Sequence, residues 1–300
     1  MLSESKLMFY RDNGYVVASG IVSSDEAANL RAVTDGFIEK SRRVTVADDV
    51  FDVEDNHTAD NPRLRRLKIP EQRDPAYEAM LQHPGVIAVL KQLLGPNIRK
   101  QGMKLNLKPG RGGEPVEWHQ DWGFFPHTND DLCIFAIMLD DVAEENGPMM
   151  VVPGSHKGKV FDHHQDGWFA GAITDLDGPA AYAKAVLLTG KAGDIHIHHV
   201  RTLHASAQNL SEKYRPLLFI TAAAADAWPL GERPATIEEW DKQMICGEST
   251  LAPRLAEVPV RLPYPRRLSN KESIFEKQRE LRNSPFERLR SPDDLVVVGA

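Results

Sequence analysis

The sequence predicts a mainly β protein with flanking α-helices, and three observations carry that prediction. Short apolar or alternating runs crowd the middle of the chain, at residues 99–108, 132–139, 149–152, 194–199 and 216–224. Dense turn residues separate them: PGRGG at 109–113, NGP at 146–148, PG at 153–154 and GD at 193–194. Charged, helix-like patterns lie on both sides of this block. Short strands broken this often by Gly and Pro read as an all-β sandwich or barrel.

The elements follow in order. Ser23 and Ser24 precede DEAANLRAVTDGFIEKSRR. Acidic residues at its start, apolar residues three or four apart and basic residues at its end predict a capped amphipathic helix. A second helix is predicted over 74–94, stopped by Gly95 and Pro96. The strands then occupy the middle, and residues 269–290 return to a charged helical pattern. The expected layout is one domain spanning 1–300. It has a helical N-terminal part over about 1–95, a β core over about 96–228 and a C-terminal extension over about 229–300.

Composition narrows the function. At 300 residues the chain is long enough to bury a real core. Its formal net charge of −7 disfavours a general role on nucleic acid, where a basic face is expected. The two cysteines, Cys133 and Cys246, cannot build a disulfide framework. The N-terminus lacks the apolar stretch of a signal peptide, and the apolar run at 217–225 is far shorter than a membrane span. The expectation is a cytoplasmic protein with no nucleic-acid or membrane partner, as a monomer or homodimer.

The chemistry-bearing residues begin with the WHQD stretch at 118–121. On an extended strand, residues i and i+2 share a face, so His119 and Asp121 can bind one metal ion together. The third ligand must come from elsewhere, and His204 is the best candidate. His196, His198 and His199 compete with it, and His196 and His198 share a strand face. Two His and one carboxylate leave three metal positions open, the arrangement of non-haem iron(II) oxygenases. A structural zinc site would close its shell, usually with Cys. Arg215 lies eleven residues after His204 (215 − 204 = 11). A dicarboxylate co-substrate needs a cation at its far end, and the guanidinium fork meets a carboxylate with two parallel hydrogen bonds. Ser206 is placed to donate a hydroxyl to the same carboxylate.

These motifs, in this order, resemble the phytanoyl-CoA dioxygenase family over most of the chain. The opening FYRDNGYVVASGIVSSDEAANLRAV and the block WHQDWGFFPHTNDDLCIFAIMLDDVAEENGPMMVVPGSHKG carry the likeness. So does the C-terminal pattern of Gly193, Asp194, His204, Ser206, Asn209 and Arg215. The resemblance implies a double-stranded β-helix, a jelly-roll or cupin-like core. It implies iron(II) on His119, Asp121 and His204, and 2-oxoglutarate held by Arg215 and Ser206. Gln120, Lys68, Lys104 and Ile137 match further co-substrate contacts, although the residue types at 104 and 137 depart from the family's. The implied reaction hydroxylates an unactivated C–H bond of a small organic substrate. It consumes O2, releases succinate and CO2, and takes ascorbate as a supporting reductant. A carboxylate at Asp121 argues against halogenation, which needs a small residue there.

Three other readings stay open at this point. One is a non-catalytic jelly-roll that binds a metabolite, and another is the same triad running desaturation or ring chemistry. The third, a zinc hydrolase, lacks any His-Glu-x-x-His motif. Trp122, Phe124, Phe125 and Pro126 are either core or active-site wall. The basic run RLRRLK at 63–68 is either a solvated edge or a platform for an anionic substrate such as a carboxylate or CoA thioester. The loop 154–174 resembles the family's substrate lid. Within it His156 is read as hydrogen-bonding inside its own turn, and His163, His164 and Asp166 as a solvated loop.

Overall fold

A computed structural model of the chain describes residues 1–174, 184–231, 234–266, 273–278, 281 and 296–298. Most strands fall into two facing sheets. The major sheet has the order β1 (Tyr15–Ala18), β11 (Ile195–His199), β6 (Leu132–Met138), β13 (Arg215–Ala224), β4 (Ile98–Lys108), β3 (Leu64–Lys68) and β2 (Phe51–Val53). A further strand, β14 (Met244–Cys246), pairs with β4. The minor sheet runs β15 (Val296–Val298), β10 (Val186–Leu188), β7 (Met149–Val151), β12 (His204–Ser206) and β5 (Val116–His119). A two-stranded hairpin, β8 (His164–Gln165) with β9 (Trp168–Phe169), lies apart from both. The pairs are antiparallel except β10 with β15. This is the jelly-roll arrangement: two antiparallel sheets closed over one interior.

Helices cover the outer face of the major sheet. They are α1 (Glu4–Asn13), α2 (Ser24–Ser41), α3 (Pro75–Ala79) and α4 (Pro84–Leu94). The N-cap of α2 is a full capping box: the Ser23 hydroxyl accepts from Glu26 N–H, and the Glu26 carboxylate accepts from Ser23 N–H. Leu30, Phe37, Val86, Val89 and Leu90 pack on Leu105, Phe135, Ile137, Ile197, Leu218 and Ile220 of the sheet. Each such side chain, fully buried, contributes about 1.5–3 kcal/mol. Gly14 ends α1 with φ 77°, where its N–H bonds the Tyr10 carbonyl at 2.7 Å and the chain turns straight into β1.

Three expectations change. The helix foreseen over 74–94 is two, because Pro84 opens a fresh helix: Asp74 caps the first, and His83 Nδ1 accepts from Val86 N–H to cap the second. The N-terminal part is not purely helical, since β1, β2 and β3 join the major sheet at its two edges. Of the helical tail over 269–290, the helix Ile274–Gln278 is observed and most of the remainder lies outside the described residues.

Candidate active site and metal centre

The interior is reached by strand alternation. Along β4, Met103, Leu105 and Leu107 face the helices, so Lys104, Asn106 and Lys108 face inward. Along β11 the inward residues are His196 and His198, opposite Ala136 and Ile134 of β6. In the minor sheet His204 and Ser206 face inward while Ala205 packs on the outer cluster with Trp118 and Met150.

His119 and His204 are direct partners across β5 and β12, with ring centroids 4.0 Å apart. The strand β5 ends at His119, and Asp121 opens a 3-10 turn. Gln120 between them keeps extended backbone (φ −119°, ψ 130°), so the two-residue rule still returns Asp121 to the face of His119. His119 Nε2 lies 4.0 Å from Asp121 Oδ1, and His204 Nε2 lies 3.6 Å from Asp121 Oδ2. The three ligand atoms lie within 4.8 Å of one another and all three residues are buried.

Hydrogen bonds set which nitrogens face the centre. His119 Nδ1–H donates to the Glu117 carbonyl at 2.7 Å, and His204 Nδ1–H donates to the Thr202 carbonyl at 2.9 Å. Both Nε2 lone pairs are thereby directed at Asp121, the arrangement metal-binding imidazoles adopt. Burial pushes His119 down to about 4, and burial with the neighbouring imidazoles pushes His204 well below the usual range, so both rings are neutral donors. Burial alone would raise the Asp121 carboxyl. Lys104, His204 and a bond from His198 Nε2–H at 3.3 Å outweigh it and hold the group far below the carboxylate range. A neutral–neutral–anionic set of two imidazoles and one carboxylate fits iron(II).

From the triad a cavity of about 40 Å³ runs to Arg215, bordered on the way by Asn106, Lys108, His198, Ser206 and Phe219. Arg215 is 2 % exposed, and its Nη2 donates to the Gly147 carbonyl at 2.9 Å. Its Nε and Nη1 are buried without a partner. Leaving a buried donor unpaired costs about 1–3 kcal/mol, more when charged. A bidentate carboxylate would satisfy both nitrogens. Burial lowers the guanidinium to about 9, so it stays a cation at neutral pH. On the other side of Asp121 opens a wider mouth of about 260 Å³, with Arg66, Gln101, Lys104 and Asn106 on one wall and Phe124 and Phe125 on the other. Phe124 stands edge-on to His119 at 5.7 Å.

Of the residues marked from sequence, the fold brings His119, Asp121, His204, Ser206, Arg215 and Lys104 to one cavity. Three do not reach it. Ile137 points to the helix side, paired with Ile195 and Leu218, because the inward positions of β6 are 134, 136 and 138. Gln120 turns away from the metal face: its Nε2 donates to the Lys159 and Arg201 carbonyls and its Oε1 accepts from Phe161 N–H. Lys68 sits opposite Lys104 in the β3–β4 register, but its Nζ donates to the Asp48 carbonyl at 2.7 Å.

Other readings also shift. Arg63 pairs with Glu54, and Arg65 with Asp52 and Glu114, so the basic run presents only Arg66 to the mouth. Trp122 is core, its Nε1–H bonded to the Pro259 carbonyl, whereas Phe124 and Phe125 are wall. His163 is not solvated: it is 2 % exposed and its Nε2 accepts from Gln120 N–H at 2.9 Å. His156 bonds the Arg11 carbonyl in α1, outside its own turn. Three site residues were not foreseen: His198, considered only as a rival ligand, Lys108 and Asn106. The two-residue period along 104, 106 and 108 was the available signal.

The phytanoyl-CoA dioxygenase family model matches residues 10–217. The chain belongs to the phytanoyl-CoA dioxygenase family. It is a non-haem iron(II)- and 2-oxoglutarate-dependent dioxygenase, an oxidoreductase of the class to which its relatives belong. It is 38 % identical over 276 residues to a probable alpha-ketoglutarate-dependent hypophosphite dioxygenase of Stutzerimonas stutzeri, covering 91 % of this chain and 96 % of that one. It is 24 % identical to human peroxisomal phytanoyl-CoA dioxygenase over 82 % of this chain and 75 % of the relative. EctD from S. alaskensis with bound Fe shares the fold, with a TM-score of 0.67 at 20 % identity over 85 % of this chain and 88 % of that one. Among the described residues no helix is long and apolar enough to cross a membrane.

Proposed function

We propose that this dioxygenase hydroxylates a compact oxyanion, with hypophosphite as the leading candidate. The observation that carries the proposal is the mouth beside Asp121. Arg66 and Lys104 supply two positive charges there, Gln101 and Asn106 supply amides, and among the described residues the only acid lining it is Asp121 itself. A metal-bound Asp121 would be partly neutralised, leaving the mouth net positive. Its volume of about 260 Å³ is ample for a small anion. The relative from Stutzerimonas stutzeri, whose name gives hypophosphite as its substrate, supports the same class.

In this reading His119, Asp121 and His204 hold the iron, and Arg215 with Ser206 anchors the far carboxylate of 2-oxoglutarate. When bound, the iron and 2-oxoglutarate together supply activation of O2 and transfer of one oxygen atom, with release of succinate and CO2. The chain's own part is placement. The histidine Nδ1 bonds keep both Nε2 lone pairs on the metal, and His198 steadies Asp121. Phe124 and Phe125 screen one side from water. Lys104 and Arg66 hold the anion with its bond to hydrogen turned toward the metal. The free thiols Cys133 and Cys246 suit a reducing compartment, and we assign the enzyme to the cytoplasm.

The test is a substrate panel with iron(II), 2-oxoglutarate and O2, read as succinate formed and as product by phosphorus NMR. The expected outcome is stoichiometric succinate and phosphite from hypophosphite, the result of inserting one oxygen into a P–H bond. Coupled turnover of a CoA thioester or a neutral amino acid, with none of hypophosphite, would overturn the substrate class.

A further inference from the structure

The narrow end of the cavity holds a second cation. Lys108 of β4 is the direct cross-strand partner of Arg215 of β13, on the same inward face. Lys108 is 3 % exposed and Arg215 2 %. Like charges directly opposite one another across an antiparallel pair destabilise it, and burial deepens the effect. Among the described residues neither side chain has a carboxylate within ion-pair distance. The Lys108 amine nitrogen donates to the backbone carbonyls of Ser206, at 3.1 Å, and Ala207; burial and Arg215 hold the group well below the usual lysine range, while Glu54 and Glu114 pull the other way from beyond ion-pair distance. An ammonium has three N–H groups, so one is left for the cavity it borders. Gly147 sits between the two cations: its carbonyl takes Arg215 Nη2, and its φ of 79° and missing Cβ leave room for the Lys108 stem. The acid of the cavity, Asp121, lies at the other end with the imidazoles.

We propose that Lys108 is a specificity-determining residue: a second cation for the distal carboxylate of 2-oxoglutarate, whose repulsion by Arg215 persists until a dicarboxylate binds. The proposal rests on the co-substrate assignment above. With the carboxylate in place, Arg215 Nε and Nη1 and the remaining Lys108 N–H gain an acceptor, and two buried like charges gain a counter-ion. A 2-oxo acid without the second carboxylate would leave both cations uncompensated. Discrimination between the two acids is then larger than one arginine alone provides.

The experiment compares wild type with Lys108→Gln, loaded anaerobically with manganese(II) as a redox-quiet probe. It reads Kd for 2-oxoglutarate and for 2-oxopentanoate by calorimetry, and melting temperature with and without each. Glutamine keeps two donors for the Ser206 and Ala207 carbonyls and removes the charge. The expected result has three parts. The ligand-free variant melts at the wild-type temperature or above it. Its 2-oxoglutarate Kd rises about tenfold or more, the worth of one charge-assisted hydrogen bond. Its 2-oxopentanoate Kd stays unchanged. A variant that melts lower or fails to fold, or that loses both acids equally, would show Lys108 to be a strut for β12 and overturn the inference. So would an unchanged 2-oxoglutarate Kd. Wild type that binds neither acid would instead bring down the co-substrate assignment itself.

Discussion

The two faces of the major sheet are built from the same strands and obey different rules. On the helix side β4, β6, β11 and β13 present Leu105, Leu107, Phe135, Ile137, Ile195, Ile197, Leu218 and Ile220. On the inner side the alternate positions carry Lys104, Asn106, Lys108, His198 and Arg215 beside an apolar cluster that includes Ile134, Ala136, Met138, Leu217 and Phe219. The outer face is satisfied by itself. The inner face buries Arg215 Nε and Nη1 and the Asn106 Oδ1 without partners. Apolar burial therefore stabilises both faces, but the inner face also holds unpaired polar groups that are available to ligands. A shift of one residue in sequence moves a side chain from one regime to the other.

The strongest attempt to break this contrast is Asp121→Ala. It should abolish 2-oxoglutarate turnover while leaving the far-UV circular dichroism unchanged, because we assign the residue to the metal centre and not to the fold. Next, Leu105→Ala should lower unfolding free energy by about 2–5 kcal/mol, the usual cost of a core cavity, with kcat/KM per folded molecule unchanged. Denaturant titration beside an activity assay checks both. A third probe is Gln120→Ala. Its side chain bonds Lys159, Arg201 and Phe161 and faces away from the metal, so about 1–3 kcal/mol of stability should go. The 2-oxoglutarate Kd should hold within about twofold, and a large rise would return Gln120 to the co-substrate. Lys104→Met, next in sequence to Leu105, should do the reverse of Leu105→Ala: KM for the anionic substrate up about tenfold and melting temperature nearly unchanged.

The smallest effect is in acid. Burial holds His163 neutral, its imidazole pushed down to about 3 from an ordinary 6.5. The unfolded chain binds that proton below 6.5 and the folded one does not. The contribution is complete above 6.5 and is lost as pH falls from 6.5 toward about 3. Stability of His163→Asn, followed against pH, should decline less steeply than wild type over that window. Equal slopes would show that this ring carries no part of the acid sensitivity.

The convergence of His119, Asp121 and His204 was legible from a two-residue spacing for the first pair and, for His204, from the Ala-Ser that follows it and Arg215 eleven residues on. The five main strands of the core were legible too, from apolar runs between Gly and Pro turns. What escaped depends on register and direction. Ile137 and Lys104 look alike as strand residues, and only the pairing of β6 with β11 and β13 sends Ile137 to the helices. Gln120 shares a motif with two ligands, yet alternation turns it to the loops. Lys108 became visible only once β4 and β13 were aligned so that it met Arg215. The strands β10 and β12 are three residues each, too brief for periodicity to mark, whereas β7, no longer, was read from the Asn-Gly-Pro and Pro-Gly turns on either side of it.

The central claim is that imidazoles from two separate strands and one carboxylate grip iron on the inner face. Anaerobic equilibrium dialysis of iron(II) tests it most directly, using wild type, the double variant His119→Ala with His204→Ala, and Leu105→Ala as the outer-face control. Wild type and Leu105→Ala should each retain one iron per chain, and the double variant almost none. Retention of a full equivalent by the double variant would contradict the account.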